Sequence, residues 1–218
     1  MNDADIRDRV ATGDLNTSLL GDVCDRLGRH HQFLPPYIRP FDEAATLVGR
    51  AMPVLTADVN AAQKRPFGLL TDALDQLQPG EVYVGGGGLQ RSASWGEILT
   101  ATARGRGAVG AVIDGWHRDT RALRRERWPI FSRGAWGQDA GVRSSVIDYR
   151  VGIEVGGVRV EPGSLIVGDA DGVIVIPPDL EQEIVSGAVA KAAAEHDVRE
   201  AIRAGMSSAT AWDRYGVL

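Results

Sequence analysis

Glu81-Val82-Tyr83-Val84-Gly85-Gly86-Gly87-Gly88 opens the stretch that decides the fold. It continues through Ser94-Trp95-Gly96-Glu97 and then Ala108-Val109-Gly110-Ala111-Val112-Ile113-Asp114-Gly115-Trp116-His117-Arg118-Asp119. Residues 81–84 read as a short strand that runs into a glycine loop. Ser94–Glu97 opens a helix that covers Ile98–Arg104 and closes at Gly105 or Gly107. Ala108–Ile113 is the next strand, and it delivers a polar turn ending in Arg118-Asp119. Strand, glycine loop, helix, strand and polar turn in that order predict an α/β domain.

Residues 1–30 place apolar side chains at helical intervals, with Gly28 as a stop. Leu34–Pro40 is an extended connection, residues 45–55 read as a strand, and residues 66–77 as a helix ending before Pro79-Gly80. The C-terminal third changes period. Val151–Val155, Val158–Val160, Leu165–Val167 and Val173–Ile176 are short strands separated by Gly156-Gly157, Pro162-Gly163 and Asp169-Ala170-Asp171-Gly172. A long helix over about 179–204 follows, and residues 206–218 read as a frayed or partner-docked tail. Neither a repeat nor a linker interrupts the chain, so residues 1–218 are expected to form a single domain.

The 218 residues carry a formal net charge of −5 and one cysteine, Cys24, which excludes an intramolecular disulfide and fits a reducing compartment. The acidic balance argues against nucleic acid as a partner. The start lacks the basic and apolar runs of a signal peptide, and no apolar stretch reaches bilayer length, so a cytoplasmic protein with no membrane association is expected. Of 24 basic residues only Lys64 and Lys191 are lysines. The four histidines, His30, His31, His117 and His196, have no zinc-binding spacing.

The glycine loop lacks the patterns of nucleotide-binding loops. An anion could instead sit on the amides near Gly96–Leu99, where a helix start leaves N–H groups unpaired; a plain turn is the alternative. Glu97 either closes a capping box with Ser94 or faces that anion site and places metal-bound water. Arg118-Asp119 lies past the carboxyl end of a strand, where α/β proteins place their sites. An arginine there can clamp a carboxylate, and the aspartate is a donor suited to magnesium or manganese; a surface ion pair is the alternative. Asp169–Gly172 reads as a tight turn, and Arg121, Arg124, Arg125 and Arg127 as a solvated helix face.

With Gly86-Gly87-Gly88, Gly96-Glu97, Asp114-Gly115, Arg118-Asp119, Pro129–Gly134, Pro162-Gly163 and Gly168-Asp169, the chain resembles the RraA-like family over about residues 15–205. The Gly-Glu pair followed 21 positions later by Arg-Asp is the most specific part. That family includes the class II 4-hydroxy-4-methyl-2-oxoglutarate/4-carboxy-4-hydroxy-2-oxoadipate aldolases. The resemblance implies a swivelling-type β/β/α domain with flanking N- and C-terminal helices, assembled as a homotrimer or homohexamer. It implies a Mg2+ or Mn2+ ion held by Asp119 mostly through waters, with Arg118 clamping pyruvate. Glu97 is then an acid that orients the metal's waters, and backbone amides of Gly96, Ile98 and Leu99 hold the substrate carboxylate. Glu195 is the nearest match to a C-terminal-helix glutamate that reaches a neighbouring subunit's metal.

Neither lysine is an evident Schiff-base former, so carbon–carbon cleavage here calls for a metal to stabilise the enolate. The expected activity is metal-dependent cleavage of a small 4-hydroxy-2-oxo acid to pyruvate, with oxaloacetate decarboxylation as a side activity. Two other readings stand beside it: a non-catalytic ribonuclease E inhibitor, and a metal-dependent lyase or hydratase-like enzyme acting on a sugar acid. Trp116-His117 before Arg118, Ser164 after Pro162-Gly163, and Trp95 before Gly96 depart from the family pattern. Bulky aromatics at those places put the standard substrate in question.

Overall fold

Apolar strand sequences and amphipathic helices build the fold seen in a computed structural model, which describes residues 1–89 and 91–216. The N-terminal helices are α1 (Asp3–Thr12) and α2 (Thr17–Arg26), followed by β1 (Arg39–Pro40), β2 (Leu47–Asp58) and α3 (Leu70–Asp75). The centre holds β3 (Glu81–Gly86), β4 (Ala93–Trp95), α4 (Glu97–Gly105), β5 (Gly110–Ile113), β6 (Trp116–His117), α5 (Thr120–Glu126) and β7 (Ile130–Ser132). The remainder is β8 (Ser144–Tyr149), β9 (Ile153–Val155), β10 (Val158–Val160), β11 (Leu165–Asp169), β12 (Gly172–Ile176), α6 (Glu181–Arg203) and α7 (Ser208–Tyr215).

The main sheet runs β1-β7-β5-β3-β2-β11-β12, with β8 on the far half of β2. Strands β2, β3, β5 and β7 are mutually parallel, and β11 and β12 return antiparallel. One segment nearly closes the sheet into a barrel. Leu34 N donates to Val173 O at 2.9 Å and Val175 N to Gln32 O at 2.8 Å, which lays residues 32–34 along β12. A few residues later β1 pairs with β7.

Alternation along β2 sorts the core by face. Leu47 and Ala51 point into the barrel with Val82, Val84, Val112, Phe131, Ile166 and Val175, and the β9–β10 hairpin fills that space with Ile153, Val155, Val158 and Val160. Val48 faces outward under α1, α2 and α6, whereas Met52 and Val54 lie under α3, α4 and α5. Strand β2 is covered on both sides, so its sequence is almost continuously apolar rather than alternating. Layers of hairpin, sheet and helices make this the expected β/β/α fold.

Two local expectations need correction. The helix expected over 66–77 is shorter, because Phe67 and Gly68 both adopt left-handed backbone just before α3. The tail expected to fray contains α7, whose start is capped by the Ser207 hydroxyl accepting from Thr210 N at 3.1 Å. The Asp169–Gly172 segment is the tight turn expected of it. The Asp169 carboxylate accepts from Thr17 N at 2.7 Å and from the Thr17 hydroxyl at 2.8 Å, so it pins α2 to the sheet.

Candidate functional site

The segment leaving β5 is held on both sides before it reaches Arg118. Asp114 is buried, and its Oδ1 accepts from Arg133 Nε at 2.9 Å and Nη2 at 2.6 Å. Arg133 N donates to Gly115 O, and His117 N to Gly134 O. On the other flank β6 runs parallel to β4, and Arg118 N donates to Trp95 O at 2.9 Å. Ala93 N donates to Gln138 O at 2.7 Å, which brings residue 139 beside the same small sheet.

Asp119 then turns the chain sharply, with φ 60° and ψ 33°. Aspartate tolerates this left-handed conformation better than most residues, yet it still costs free energy. Asp119 occupies the N-cap position of α5 but makes no side-chain cap there. Its carboxylate serves another helix: Oδ2 accepts from Glu97 N, the first amide of α4, at 3.1 Å. Gly96 makes this approach possible. A Cβ on Gly96 would lie 2.6 Å from Asp119 Oδ2.

The Arg118 guanidinium lies between two carboxylates. Nη1 donates to Asp139 Oδ1 at 2.8 Å, and Nε lies 3.9 Å from Asp119 Oδ2. Gly141 N donates to the other oxygen of Asp139 at 2.7 Å, which fixes that carboxylate. Arg118, Asp119, Asp139, Gly96, Ile98 and Leu99 all line one cleft of about 430 Å³. The first-turn amides of Ile98 and Leu99 have no partner within α4 and give its start a partial positive charge.

Glu97 does not join the wall of this cleft; its side chain is exposed, and only its amide engages Asp119. The capping-box alternative also fails, because the N-cap is Gly96 and no side chain from Ser94 caps the helix. Asp119 takes over that task from 22 residues away. Glu195 lines a different pocket of about 320 Å³ together with Arg9, Asp14 and His196. It accepts from Lys191 Nζ at 2.8 Å and Arg199 Nη1 at 3.3 Å. Within one chain it does not share the cleft of Asp119.

The glycine loop has a packing role. Gly85 and Gly86 belong to β3, and a Cβ on Gly86 would press to 2.9 Å from Val155. Thr56 Oγ1 donates to the carbonyls of Gly86 and Gly87, while Asp58 accepts from Leu89 N. Of the aromatics that set the sequence apart, Trp95 lines the cleft, and Trp116 and His117 are not among its lining residues. The Trp95 ring is buried between Tyr83 and Trp128, and Nε1 donates to Thr100 Oγ1 at 2.9 Å. His117 is buried against Phe41, with Nδ1 2.8 Å from the Ser132 hydroxyl. Burial pushes its pKa down, so it is neutral near pH 7. Trp116 meets Trp136 edge-on at 5.7 Å. Of these aromatics Trp95 lines the cleft, while the His117 ring packs against Phe41 and Trp116 against Trp136. Asp139 escaped the sequence reading because no spacing motif links it to Arg118.

Among the described residues, no three histidine, cysteine, aspartate or glutamate side chains form a metal-binding group. Asp119 offers one half-exposed carboxylate beside solvent. Such a donor suits a hard cation that keeps most of its waters, as Mg2+ does, and does not suit zinc.

These features define a barrel-like β/β/α protein with a cleft of mixed apolar and charged lining beside the Arg118-Asp119 turn that follows β5. Residues 17–175 match the family model described as RraA-like, Aldolase/RraA, and the chain belongs to the RraA-like family. A protein of Halalkalibacterium halodurans named "Putative 4-hydroxy-4-methyl-2-oxoglutarate aldolase" is 34% identical over 188 residues, covering 84% of this chain and 82% of its own. The crystal structure of an uncharacterized protein from Pseudomonas syringae pv. tomato superposes with a TM-score of 0.81 at 31% identity, over 92% of this chain and 90% of that one. Streptomyces coelicolor RraAS2, described as an unusual member of the RNase ES inhibitor RraA family, gives 0.75 at 26% identity, over 85% and 91% of the two chains. No helix among the described residues is long and apolar enough to cross a membrane.

Proposed function

We propose that this protein is a divalent-metal-dependent lyase that cleaves a small 4-hydroxy-2-oxo acid to pyruvate, with oxaloacetate decarboxylation as a side activity. One observation carries the reading: the Arg118 guanidinium, the Asp119 carboxylate and the first turn of α4 at Ile98 and Leu99 converge on a single cleft. The aldolase name of the Halalkalibacterium relative agrees with it.

In this reading the α4 amides of Ile98 and Leu99 receive the substrate's C1 carboxylate, where the helix end favours negative charge. Arg118 lies beside the C2 oxygen and offsets the charge that develops there when C3–C4 breaks. The bond pair stays on C3, the C4 hydroxyl loses its proton, and C4 leaves as a carbonyl. Asp119 would hold the metal, for which Mg2+ or Mn2+ is proposed, and that ion would supply Lewis-acid stabilisation of developing negative charge. Asp139 keeps the guanidinium in place through its 2.8 Å contact. Among the described residues no lysine lines the cleft, so a Schiff base is not part of the scheme. A homotrimer or homohexamer is the proposed assembly, in which Glu195 would serve a neighbouring subunit's site and Glu97 would face solvent-borne waters of the metal.

A panel of 2-oxo acids assayed for pyruvate, with Mg2+, with Mn2+ and with chelator, tests the reading. Metal-stimulated pyruvate release is expected from at least one 4-hydroxy-2-oxo acid. The likeness to RraAS2 favours a ribonuclease-binding role as the second reading. No pyruvate from any acid, together with metal-independent co-migration with a ribonuclease, would establish that role instead.

A further inference from the structure

We propose that Ser94 is a positioning residue: its hydroxyl holds one buried water in a small chamber beside the cleft, and that water ties β4, and with it the backbone of Arg118, to the main sheet. The inference goes beyond the lyase reading and is independent of the reaction that the cleft serves.

Strand β4 carries a polar group that the protein does not satisfy. Ser94 is its middle residue, between Ala93 at 5% and Trp95 at 1% exposure. Ser94 Oγ is buried and has no hydrogen-bond partner among the described residues. A buried hydroxyl left unpaired costs more than an ordinary hydrogen bond contributes, so native proteins pair such groups with protein atoms or with ordered water.

Ser94 lines both the cleft and a separate chamber of about 10 Å³. That is the size of a single water site. Thr56 of β2, Tyr83 and Gly85 of β3, and Ile113 of β5 form the rest of the chamber's wall. Thr56, Tyr83 and Ile113 are themselves buried, so the chamber is built inside one chain and a neighbouring subunit has no part in it.

Three of the five lining residues carry hydroxyls. Thr56 Oγ1 shares its one hydrogen between the carbonyls of Gly86 and Gly87, at 3.0 and 2.9 Å, which leaves its lone pairs free to accept. Burial pushes the Tyr83 phenol well above its ordinary pKa, so it keeps its proton as a donor. Together with Ser94 they offer at least the two partners that hold an ordered water.

The position of β4 matters because it belongs to a separate two-stranded sheet with β6. Trp95 O accepts from Arg118 N at 2.9 Å, so the Arg118 backbone follows β4. Packing of the Trp95 ring on Tyr83, at 4.9 Å between centroids, is apolar and non-directional. The water adds a directional contact between β4 and the main sheet, one residue before the carbonyl that receives Arg118.

A high-resolution crystal structure of the wild-type protein should show a water about 2.7–2.8 Å from Ser94 Oγ. Ser94→Ala should lower the Tm of this 218-residue protein by about 2–4 °C, because the water loses a partner. In a dry chamber the same substitution deletes an unpaired hydroxyl and leaves Tm unchanged or raised. Amide exchange reads the positioning role: in Ser94→Ala the Arg118 amide should exchange about two- to tenfold faster, with amides of β11 and β12 less affected. A map without a water at Ser94 Oγ overturns the proposal, and so does an unchanged or raised Tm. A lower Tm with Arg118 quickened no more than β11 and β12 overturns the positioning role. Should Ser94→Ala fail to fold, the wild-type map and the same exchange measurement on Ser94→Cys, which weakens the hydrogen bond at similar size, decide in its place.

Discussion

Replacing Gly96 by alanine inserts one methyl group between the start of α4 and the Arg118-Asp119 pair. The backbone there has φ −169°, an extended conformation open to any residue, so the substitution brings no backbone strain. Its effect is steric and local. The new Cβ would lie 2.6 Å from Asp119 Oδ2 and 3.4 Å from Arg118 Cγ; ordinary contact begins at 3.4 Å, so the carboxylate oxygen must retreat by about 0.8 Å. Asp119 is a half-exposed side chain and can rotate away. The stability cost is then chiefly the cap on Glu97 N, about 1 kcal/mol. In a 218-residue protein this lowers Tm by roughly 2–4 °C. Catalysis is far less tolerant, because a displacement near 1 Å in a positioned group costs about 100-fold. Pyruvate release, followed by coupling to a lactate dehydrogenase, should show kcat/KM reduced by about 100-fold in a protein of near-native Tm. A Gly96→Ala enzyme within threefold of wild type would refute the reasoning that the Asp119 carboxylate must occupy this place.

Arg118→Lys keeps the charge but cannot contact Asp139 and the C2 oxygen together, so kcat should drop by about 10²–10³ while thermal stability changes little; a wild-type rate would remove Arg118 from the chemistry. His117 is neutral and buried, with a pKa held below the unfolded value near 6.5. As pH falls below that value the unfolded state binds the proton and the native state does not, so this group removes stability by at most about 1.4 kcal/mol per pH unit. Urea unfolding between pH 7.5 and 5 should therefore be less pH-dependent in His117→Gln, and parallel curves for the two proteins would exclude the effect. Phe131→Ala empties the centre of the barrel, where Phe131 also packs against Gly168, and should cost about 3–5 kcal/mol in urea unfolding; a loss under 1 kcal/mol would mean the barrel interior collapses around the gap.

The centre of the fold was legible because each element carries its own punctuation. Glycines close β3, Gly96 precedes α4, and the apolar run of β5 ends at Asp114-Gly115. The short C-terminal strands were visible through the turns between them. Strand β7 was not, since three buried residues carry no period of their own. Strand β8 was hidden by its mixed exposure and by the bulge in its pairing with β2. The Arg118-Asp119 pair could be read as a candidate from its position after a strand. What surrounds it depends on contacts between distant segments. Asp139 reaches Arg118 only because Ala93 pairs with Gln138, and the Asp119 cap on α4 spans 22 residues. Trp95 illustrates the same point: it lines the cleft as its adjacency to Gly96 suggests, but its ring packs in the core between Tyr83 and Trp128, a contact between distant segments.

In the proposed chemistry Asp119 brings a divalent ion to work beside Arg118. Chelator-treated protein given back Mn2+, with oxaloacetate as substrate and the protein-free rate subtracted, measures this directly in wild type and Asp119→Ala side by side. Wild type should regain pyruvate release on metal addition, and Asp119→Ala should stay at background. Equal restoration in both would contradict the assignment of the metal to Asp119.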